Sequence, residues 1–204
     1  MTMLRVIKLG GSLLTCPQLG ERLPAWLAQQ RAATTVIVVG GGPLVDALRR
    51  LDAAKPIAEE TAHWLAIDAM SLSARLIAEW FPGFRLVEHV QDVPRNCGKQ
   101  PPYVLDVREL MRGQDLPGTK DVQRLPCTWD VTSDSIAAYA ASVLQADELV
   151  LLKSAMPQDR GDFESLAAEG YVDAFFPRAA ARIPVVCAVD LAGEPVRELR
   201  IGAS

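Results

Sequence analysis

The stretch of residues 129–153 constrains the fold more than any other part of the chain. In its first half, apolar residues recur at the spacing of one helix face, at Ile136, Ala140, Val143 and Leu144. A continuous apolar run over residues 149–152 follows, which is typical of a strand buried on both faces of a parallel sheet. A helix that leads directly into such a strand predicts an α/β fold with a mainly parallel central sheet.

Polar residues mark the start of this helix and the end of this strand. Thr132 or Ser133 is placed to cap the helix, and Asp134 then lies in the first turn, where the helix dipole favours an anion. Lys153 ends the strand, at the edge where open α/β sheets bind ligands. The ordinary interpretation makes Asp134 a cap and Lys153 a solvated strand end. The functional alternative is a site for a phosphate group.

Two further apolar runs each end in consecutive glycines. The first predicted strand, residues 4–9, is followed by Gly10, Gly11 and Ser12. The second, residues 35–39, is followed by Gly40, Gly41 and Gly42. Glycine turns let backbone N–H groups approach an anion closely. Neither turn is a GxGxxG or Walker A sequence, but two such turns in one α/β domain indicate a phosphate-bearing ligand between them.

Four charged or titratable residues are candidates for the same site. Lys8 interrupts an apolar strand, so its ammonium either reaches the sheet edge for solvation or faces a phosphoryl group. Asp46 and Arg49 share a face of a helix that Pro43 opens, as a surface ion pair or as a clamp on a substrate. His63 is either a structural histidine or a member of the pocket that contains Arg49.

The rest of the chain completes one predicted domain over residues 1–204. Helices are predicted over residues 19–31, 58–81, 107–111, 163–169 and 172–176, the last ended by Pro177, and strands over residues 85–88, 103–105, 184–189 and 196–201. Residues 91–102 and 113–126 are predicted loops. An apolar stripe on the 58–81 helix is expected to be core or dimer surface: Trp64, Leu65, Ile67, Ala69, Leu72, Leu76 and Ile77.

Composition excludes several classes of function. Half of the residues are hydrophobic and the net charge is -4, which argues for a globular protein and against a nucleic-acid-binding one. No apolar run approaches the roughly 18 residues of a membrane span, and no signal peptide is recognisable. The four cysteines contain no CxxC pair, so we expect reduced thiols, a cytoplasmic location and no protein-held metal.

Three of these segments, taken together, resemble the motifs of a known protein family. KLGGS at residues 8–12, VGGG at 39–42 and TSD at 132–134 resemble the amino acid kinase superfamily, which includes aspartokinase, acetylglutamate kinase and uridylate kinase. GGGPLVDALRRLD and TWDVTSDSIAAYAA, followed by LLKS, resemble a short branch without regulatory domains, the aminomethylfuranylmethyl phosphate kinases of methanofuran biosynthesis. The resemblance covers most of residues 1–155. Beyond Lys153 the family's usual Asp-Gly step is absent.

The resemblance implies a three-layer αβα sandwich and an ATP-dependent phosphotransferase that uses Mg²⁺. It implies that Lys8 lies beside the transferred phosphoryl group and that Asp134 holds Lys8 and Lys153 in place. Backbone N–H groups on either side of the phosphoryl group would come from Gly10, Gly11, Gly41 and Gly42. Contacts to the nucleotide would come from Ser12, Thr132, Ser133, Lys153 and Ser154.

Relatives often carry a second phosphate-contacting lysine later in the chain, and no lysine follows Lys153 here. Arg160, Arg178 or Arg182 is therefore expected to take that role, unless Lys153 fills it alone.

The chemistry of phosphoryl transfer indicates which class of acceptor the site suits. A phosphate or carboxylate is already an anion at neutral pH, whereas a hydroxyl needs a general base. Near the glycine turns only Asp46 or His63 would suit as a base, so an anionic acceptor is favoured: a phosphomonoester that becomes a diphosphate. Arg49 would then hold the acceptor phosphate and Asp46 an amine. The alternatives are a carboxylate or nucleoside monophosphate acceptor, or a nucleotide-binding scaffold without catalysis.

Overall fold

The computed structural model describes residues 3–94, 100–113, 122–158 and 161–202. The strands in these ranges are β1 (Leu4–Leu9), β2 (Thr34–Val39), β3 (Arg85–Val87), β4 (Tyr103–Leu105), β5 (Glu148–Lys153), β6 (Val185–Asp190) and β7 (Arg197–Ile201). They form one sheet in the order β3-β4-β2-β1-β5-β6-β7. β1, β2 and β5 are the apolar runs that the sequence predicts as buried strands.

The sheet is parallel except at one edge. β1 pairs in parallel with β2 on one side and with β5 on the other. β7 runs antiparallel to β6, and residues 196–201 were predicted as an edge strand. Since all the other pairs are parallel, the carboxyl ends of β1, β2 and β5 meet at one edge of the sheet.

Helices cover both faces of the sheet. They are α1 (Leu19–Gln29), α2 (Gly42–Ala54), α3 (Glu59–Trp80), α4 (Arg108–Arg112), α5 (Ser133–Leu144), α6 (Phe163–Ala168) and α7 (Phe176–Ala180). Val6 and Leu151 pack in a cluster with Tyr139 of α5, whereas Ile7 packs in a second cluster with Leu23 of α1. Alternate strand residues therefore face opposite helical layers, which confirms the predicted three-layer αβα sandwich.

This alternation also directs the two lysines. Lys8 follows Val6 by two residues, and Lys153 follows Leu151 by two, so both lysines face the layer that contains α5. Each stands at or next to the carboxyl end of its strand. The strand register thus brings the two ammonium groups to the start of α5.

One predicted helix is wrong. Residues 172–176 do not form a helix that Pro177 ends; instead, α7 begins at Phe176 and Pro177 lies in its first turn. Proline is well tolerated there, because its fixed φ suits a helix and its missing N–H would be unpaired anyway. The predicted loops over residues 91–102 and 113–126 fall partly outside the described residues.

The apolar stripe of α3 divides between two environments. Ile67, Ala69 and Ile77 are buried, whereas Leu65, Leu72 and Leu76 are exposed. In the described part of the chain, none of the helices has the length and apolarity needed to cross a membrane.

Candidate active site

A cavity of about 420 Å³ opens at the carboxyl ends of β1, β2 and β5. Its walls come from both glycine turns, the start of α5, the middle of α3, and the segment that follows β5. Apart from the three candidate arginines, every site residue predicted from the sequence lines it: Lys8, Gly10, Gly11, Ser12, Gly41, Gly42, Asp46, Arg49, His63, Thr132, Ser133, Asp134, Lys153 and Ser154.

The two glycine turns touch each other. A Cβ atom built on Gly11 would come within 2.5 Å of the Gly42 Cα atom, and one on Gly40 would lie 2.8 Å from the Gly11 nitrogen. Gly42 also has a φ of +50°, a conformation that other residues rarely adopt. Side chains at these positions would therefore force the turns apart, which explains why both are built from glycine.

Asp134 forms an ion pair with each of the two lysines, in the cavity that the glycine turns line. Its Oδ1 lies 3.1 Å from Lys8 Nζ, and its Oδ2 accepts a hydrogen bond of 2.9 Å from Lys153 Nζ. Lys8 and Asp134 are buried, and Lys153 is nearly so. α5 supplies the carboxylate, while β1 and β5 supply the ammonium groups. This arrangement is the one that the family resemblance implies.

The charges of this triad stabilise one another. Burial alone would raise the pKa of Asp134, but the attraction of Lys8 and Lys153 outweighs it and holds the pKa below its usual value. Burial lowers the pKa of Lys153, and repulsion from Lys8 adds to this, while the attraction of Asp134 opposes it. The site therefore holds two amines next to one carboxylate, an excess of positive charge that suits an anionic ligand.

The amino terminus of α5 is capped from a distant part of the chain. Asp173 accepts hydrogen bonds from the Thr132 and Ser135 amides, each at 3.1 Å, and from the Thr132 hydroxyl at 2.8 Å. Thr132 is also the local cap, because its Oγ1 accepts a bond of 3.4 Å from the Asp134 amide. Sequence reasoning found Thr132 but missed Asp173. The donor groups of Thr132 are thus already paired.

Tyr171 is a second contact that sequence reasoning missed. Its carbonyl accepts a hydrogen bond from Lys153 Nζ, and the same ammonium lies 4.3 Å from the centre of its ring. Burial and the nearby Asp134 carboxylate raise the pKa of its phenol. On the same side of the cavity, Ser12 Oγ and Ser154 Oγ lie 3.1 Å apart, which links the first glycine turn to the segment after β5.

The opposite side of the cavity has a different character. Arg49 and Asp46 form an exposed pair with 3.3 Å between Nη1 and Oδ1, and the Arg49 guanidinium lies 5.8 Å from the Trp129 ring centre. His63 is buried, and its Nδ1 lies 3.3 Å from the Thr128 carbonyl oxygen. Thr128 and Trp129 were not among the predicted site residues, although both belong to the TWDVTSDSIAAYAA segment that carries the family resemblance.

The arginines expected to replace a second lysine lie elsewhere. Arg178 and Arg182 line a separate cavity beside Gln145 and Pro184, at the amino ends of β5 and β6. The expectation that either reaches the nucleotide is therefore wrong, because a parallel sheet separates its two edges by the full length of the strands. Arg160 lies outside the described residues. Among the described candidates only Lys153 is in place.

Within the described ranges, the structure contains no cluster of side chains that could bind a metal ion. No group of three or more histidine, cysteine, aspartate or glutamate side chains there is arranged to hold a metal ion. Asp134, which lines the cavity together with the glycine turns, has both carboxylate oxygens against lysines.

Comparison with known proteins gives a family match. The family model described as the amino acid kinase family matches residues 3–155. The chain belongs to the amino acid kinase family. A curated relative, "[5-(aminomethyl)furan-3-yl]methyl phosphate kinase" of Methanocaldococcus jannaschii, is 24% identical over 148 residues, which are 72% of this chain and 64% of that protein. The chain thus spans somewhat less than two thirds of this relative's length.

Solved structures share the fold of this amino acid kinase family member. The UMP kinase from Ureaplasma parvum matches with a TM-score of 0.63 at 11% identity, over the whole of both chains. The aspartate kinase from Synechocystis matches with a TM-score of 0.61 at 16% identity, over 98% of this chain and 40% of that one. The αβα architecture is therefore that of the family.

Proposed function

We propose that this protein is an ATP-dependent kinase that transfers the γ-phosphoryl group to a small phosphomonoester. The acceptor that we propose is the compound in the curated relative's name, [5-(aminomethyl)furan-3-yl]methyl phosphate, hereafter the aminomethylfuran phosphate, which would become a diphosphate in C1-carrier cofactor biosynthesis. The observation that supports phosphotransfer best is the buried Lys8–Asp134–Lys153 triad beside two touching glycine turns.

In the proposed reaction, an oxygen of the acceptor phosphate forms a bond to the γ-phosphorus, and the bond from that phosphorus to the β–γ bridging oxygen breaks, releasing ADP. Lys8 would neutralise the charge that spreads over the transferred group. The N–H groups of Gly11, Gly41 and Gly42 would hold it from both sides. The Gly10 N–H, expected to share this role, already donates to the Leu152 carbonyl at 2.8 Å. Asp134 would position the lysines, and no general base is needed because the acceptor is an anion.

The donor nucleotide is assigned to the side of the cavity around β5. Lys153, Ser12 and Ser154 line this side together, so they would contact the nucleotide phosphates. Ser133 would add a contact at the start of α5, whereas Thr132 would serve through the cap because Asp173 already pairs its donors. Mg²⁺ would accompany ATP and neutralise phosphate charge, held mainly by the nucleotide's own oxygens.

The acceptor is assigned to the opposite side, between α2, α3 and residues 128–131. Arg49 is exposed, and its surface ion pair with Asp46 costs little to break, so the guanidinium would turn toward a phosphate. Arginine suits this role, since its planar guanidinium can bind two phosphate oxygens at once. Asp46 and His63 line the same side and would contact the rest of the acceptor.

The test is a direct assay with defined acceptors. The protein is incubated with ATP, Mg²⁺ and the aminomethylfuran phosphate, and ADP and the diphosphate product are measured by chromatography and ³¹P NMR. UMP and aspartate replace the acceptor in parallel reactions. We expect acceptor-dependent ADP release with a diphosphate product. Turnover of UMP or aspartate alone would assign a different acceptor, and nucleotide binding without ADP release from any acceptor would indicate a non-catalytic scaffold.

We further propose a homodimer formed through α3 and a cytoplasmic location. The exposed Leu65, Leu72, Leu76 and Trp80 recur along one side of α3, which leaves apolar surface for a second copy to cover. Light scattering coupled to gel filtration should give twice the chain mass. A monomer at micromolar concentration would refute the dimer. The cytoplasmic location is based on the cysteine pattern alone.

A further inference from the structure

Three polar atoms on the acceptor side of the cavity have no hydrogen-bond partner within the described ranges. They are His63 Nε2, Thr128 Oγ1 and Trp129 Nε1, and each is buried from solvent. All three residues line the cavity. An unpaired buried polar atom is costly, and native proteins usually satisfy such atoms with protein, water or ligand. Three of them in one wall indicate a place where a polar ligand binds.

The hydrogen bond of His63 fixes what its free nitrogen can do. The Thr128 carbonyl can only accept, so the Nδ1 atom that lies 3.3 Å from it must carry the proton. Burial lowers the pKa of His63 more than the Thr128 carbonyl and the Glu60 carboxylate raise it, which favours the neutral ring. A neutral ring with a proton on Nδ1 has a lone pair on Nε2. His63 therefore presents a hydrogen-bond acceptor.

Trp129, the residue after Thr128, presents a hydrogen-bond donor, whereas His63 presents an acceptor. An indole N–H is a donor and nothing else, so Trp129 Nε1 needs an acceptor atom. Apolar side chains complete this part of the cavity wall: Ala66, Ile67, Met70, Val131 and Ile136. The subsite therefore combines the His63 acceptor, the Trp129 donor, the Thr128 hydroxyl, which can donate or accept, and an apolar wall. This combination fits a small ring with polar substituents rather than a chain of charged groups.

We propose that His63 and Trp129 form a specificity subsite for the non-phosphate end of the acceptor, with Nε2 of His63 accepting a hydrogen bond from an amine of that molecule. The Trp129 indole N–H donates to an acceptor atom of the same molecule, such as a ring oxygen. This inference rests on the proposed function, because it assumes that the acceptor occupies this side of the cavity. It replaces Asp46 as the amine contact, since Asp46 is exposed and already paired with Arg49.

Glu60 is compatible with an amine in this subsite. It lies one turn before His63 on α3, exposed and outside the cavity lining, and its carboxylate acts on the His63 ring electrostatically. A negative charge near His63 favours a ligand that carries a positive charge there. Arg49, whose guanidinium lies 5.8 Å from the Trp129 ring centre, would hold the phosphate, so an acceptor that carries both an amine and a phosphate matches both charges.

The test compares two probes that differ only in the amine. Isothermal titration calorimetry measures binding of the aminomethylfuran phosphate and of (5-methylfuran-3-yl)methyl phosphate, without nucleotide, to the wild type and two variants. His63→Asn keeps a donor for the Thr128 carbonyl but removes the acceptor at Nε2. His63→Gln can place an amide oxygen near the Nε2 position. Melting temperatures check that both variants remain folded.

The wild type should bind the amine probe about tenfold more tightly than the methyl probe, because the methyl probe leaves Nε2 unpaired. His63→Asn should abolish this preference by weakening only the amine probe, and His63→Gln should restore much of it. Equal binding of both probes by the wild type, or an equal loss of both in His63→Asn, would overturn the inference. So would binding of neither probe by the wild type at millimolar concentration.

The kinase assay is scored separately from binding. If the wild type prefers the amine probe but transfers no phosphoryl group to it, the proposed kinase function fails and the subsite stands. If it phosphorylates both probes with equal KM and binds them equally, the kinase function stands and the subsite fails.

Discussion

Two cavities lie at opposite ends of the parallel strands, and they differ in what lines them. The one at the carboxyl ends has a volume of about 420 Å³ and contains the Lys8–Asp134–Lys153 triad and both glycine turns. The one at the amino ends is larger, about 660 Å³, and is lined by Tyr139, Arg178 and other residues of α5, α7 and the segments before β5 and β6. Size therefore does not mark the candidate active site.

The two cavities differ in how their charged side chains are positioned. At the carboxyl ends, three elements of the fold place two ammonium groups each within 3.1 Å of an oxygen of one buried carboxylate. The described residues that line the other cavity include Arg178 and Arg182 but no glycine. The first arrangement can therefore offer the backbone N–H groups of two glycine turns and fixed positive charge to one ligand.

Among the substitutions that test this difference between the cavities, Asp134→Asn is expected to have the largest effect on stability and turnover. Removing the carboxylate leaves two buried amines facing each other, so we expect the free energy of unfolding to fall by about 3–5 kcal/mol and turnover to be lost. Urea denaturation measures the first and the kinase assay the second. Asp46→Asn is the matched control, because Asp46 forms an exposed pair, and its cost should stay below about 0.5 kcal/mol. Equal costs would contradict the account of the triad.

The same variant makes a prediction about pH. The pKa of Asp134 is lower in the folded protein than its ordinary value of 3.8, so its stabilisation is present above that value and is lost as the pH falls through the folded-state pKa. The difference in unfolding free energy between wild type and Asp134→Asn should therefore be large at about pH 7 and shrink steadily below about pH 4. A difference that stays constant over this range would show that the carboxylate is not stabilised by the lysines.

Lys8→Ala should have the next largest effect, on turnover. Loss of a fixed positive charge beside the transferred group should reduce kcat about 100- to 1000-fold. The fold should remain, since Asp134 keeps Lys153 as a partner. Circular dichroism checks the fold and the kinase assay measures kcat. Wild-type turnover in a folded Lys8→Ala protein would remove Lys8 from the proposed mechanism.

Arg49→Ala should have a smaller and more selective effect. If Arg49 holds the acceptor phosphate, the KM of the acceptor should rise about tenfold while the KM of ATP changes little. Arg50→Ala serves as the control, because Arg50 is the exposed neighbour in the same helix and does not line the cavity. An equal rise of both KM values would place Arg49 at the nucleotide instead.

The smallest effect on kinase kinetics is expected from a substitution in the amino-end cavity. Arg178→Ala should leave kcat and both KM values within about twofold of wild type, since most surface substitutions away from a site are nearly neutral. Steady-state kinetics with both substrates measures this. A loss of activity comparable to that of Lys8→Ala would show that the amino-end cavity takes part in catalysis.

Local patterns in the sequence predict the inner part of the site. The apolar runs of β1, β2 and β5, the glycines that follow two of them and the Thr132–Asp134 helix start are each recognisable within a few residues. Parallel pairing then brings Lys8 and Lys153 to one edge without further information. The meeting of both lysines with the start of α5 could therefore be predicted from local patterns, whereas the role of Asp134 in holding the lysines was implied by the family resemblance.

The contacts that the sequence does not reveal come from segments without periodicity. Asp173 caps α5 and the Tyr171 carbonyl binds Lys153, yet both lie in a stretch that resembles a short helix. Thr128 and Trp129 enter the cavity only because the chain turns back before α5. Arg178 was a reasonable candidate by residue type, but its position at the amino ends of the strands depends on tertiary packing that no local pattern encodes.

The most direct test is a crystal structure of the protein with a non-hydrolysable ATP analogue and Mg²⁺. The account predicts that the terminal phosphate lies between the two glycine turns, within hydrogen-bonding distance of the Lys8 ammonium and of backbone N–H groups at Gly11 and Gly42. A nucleotide bound in the amino-end cavity, or a terminal phosphate that contacts neither glycine turn, would contradict it.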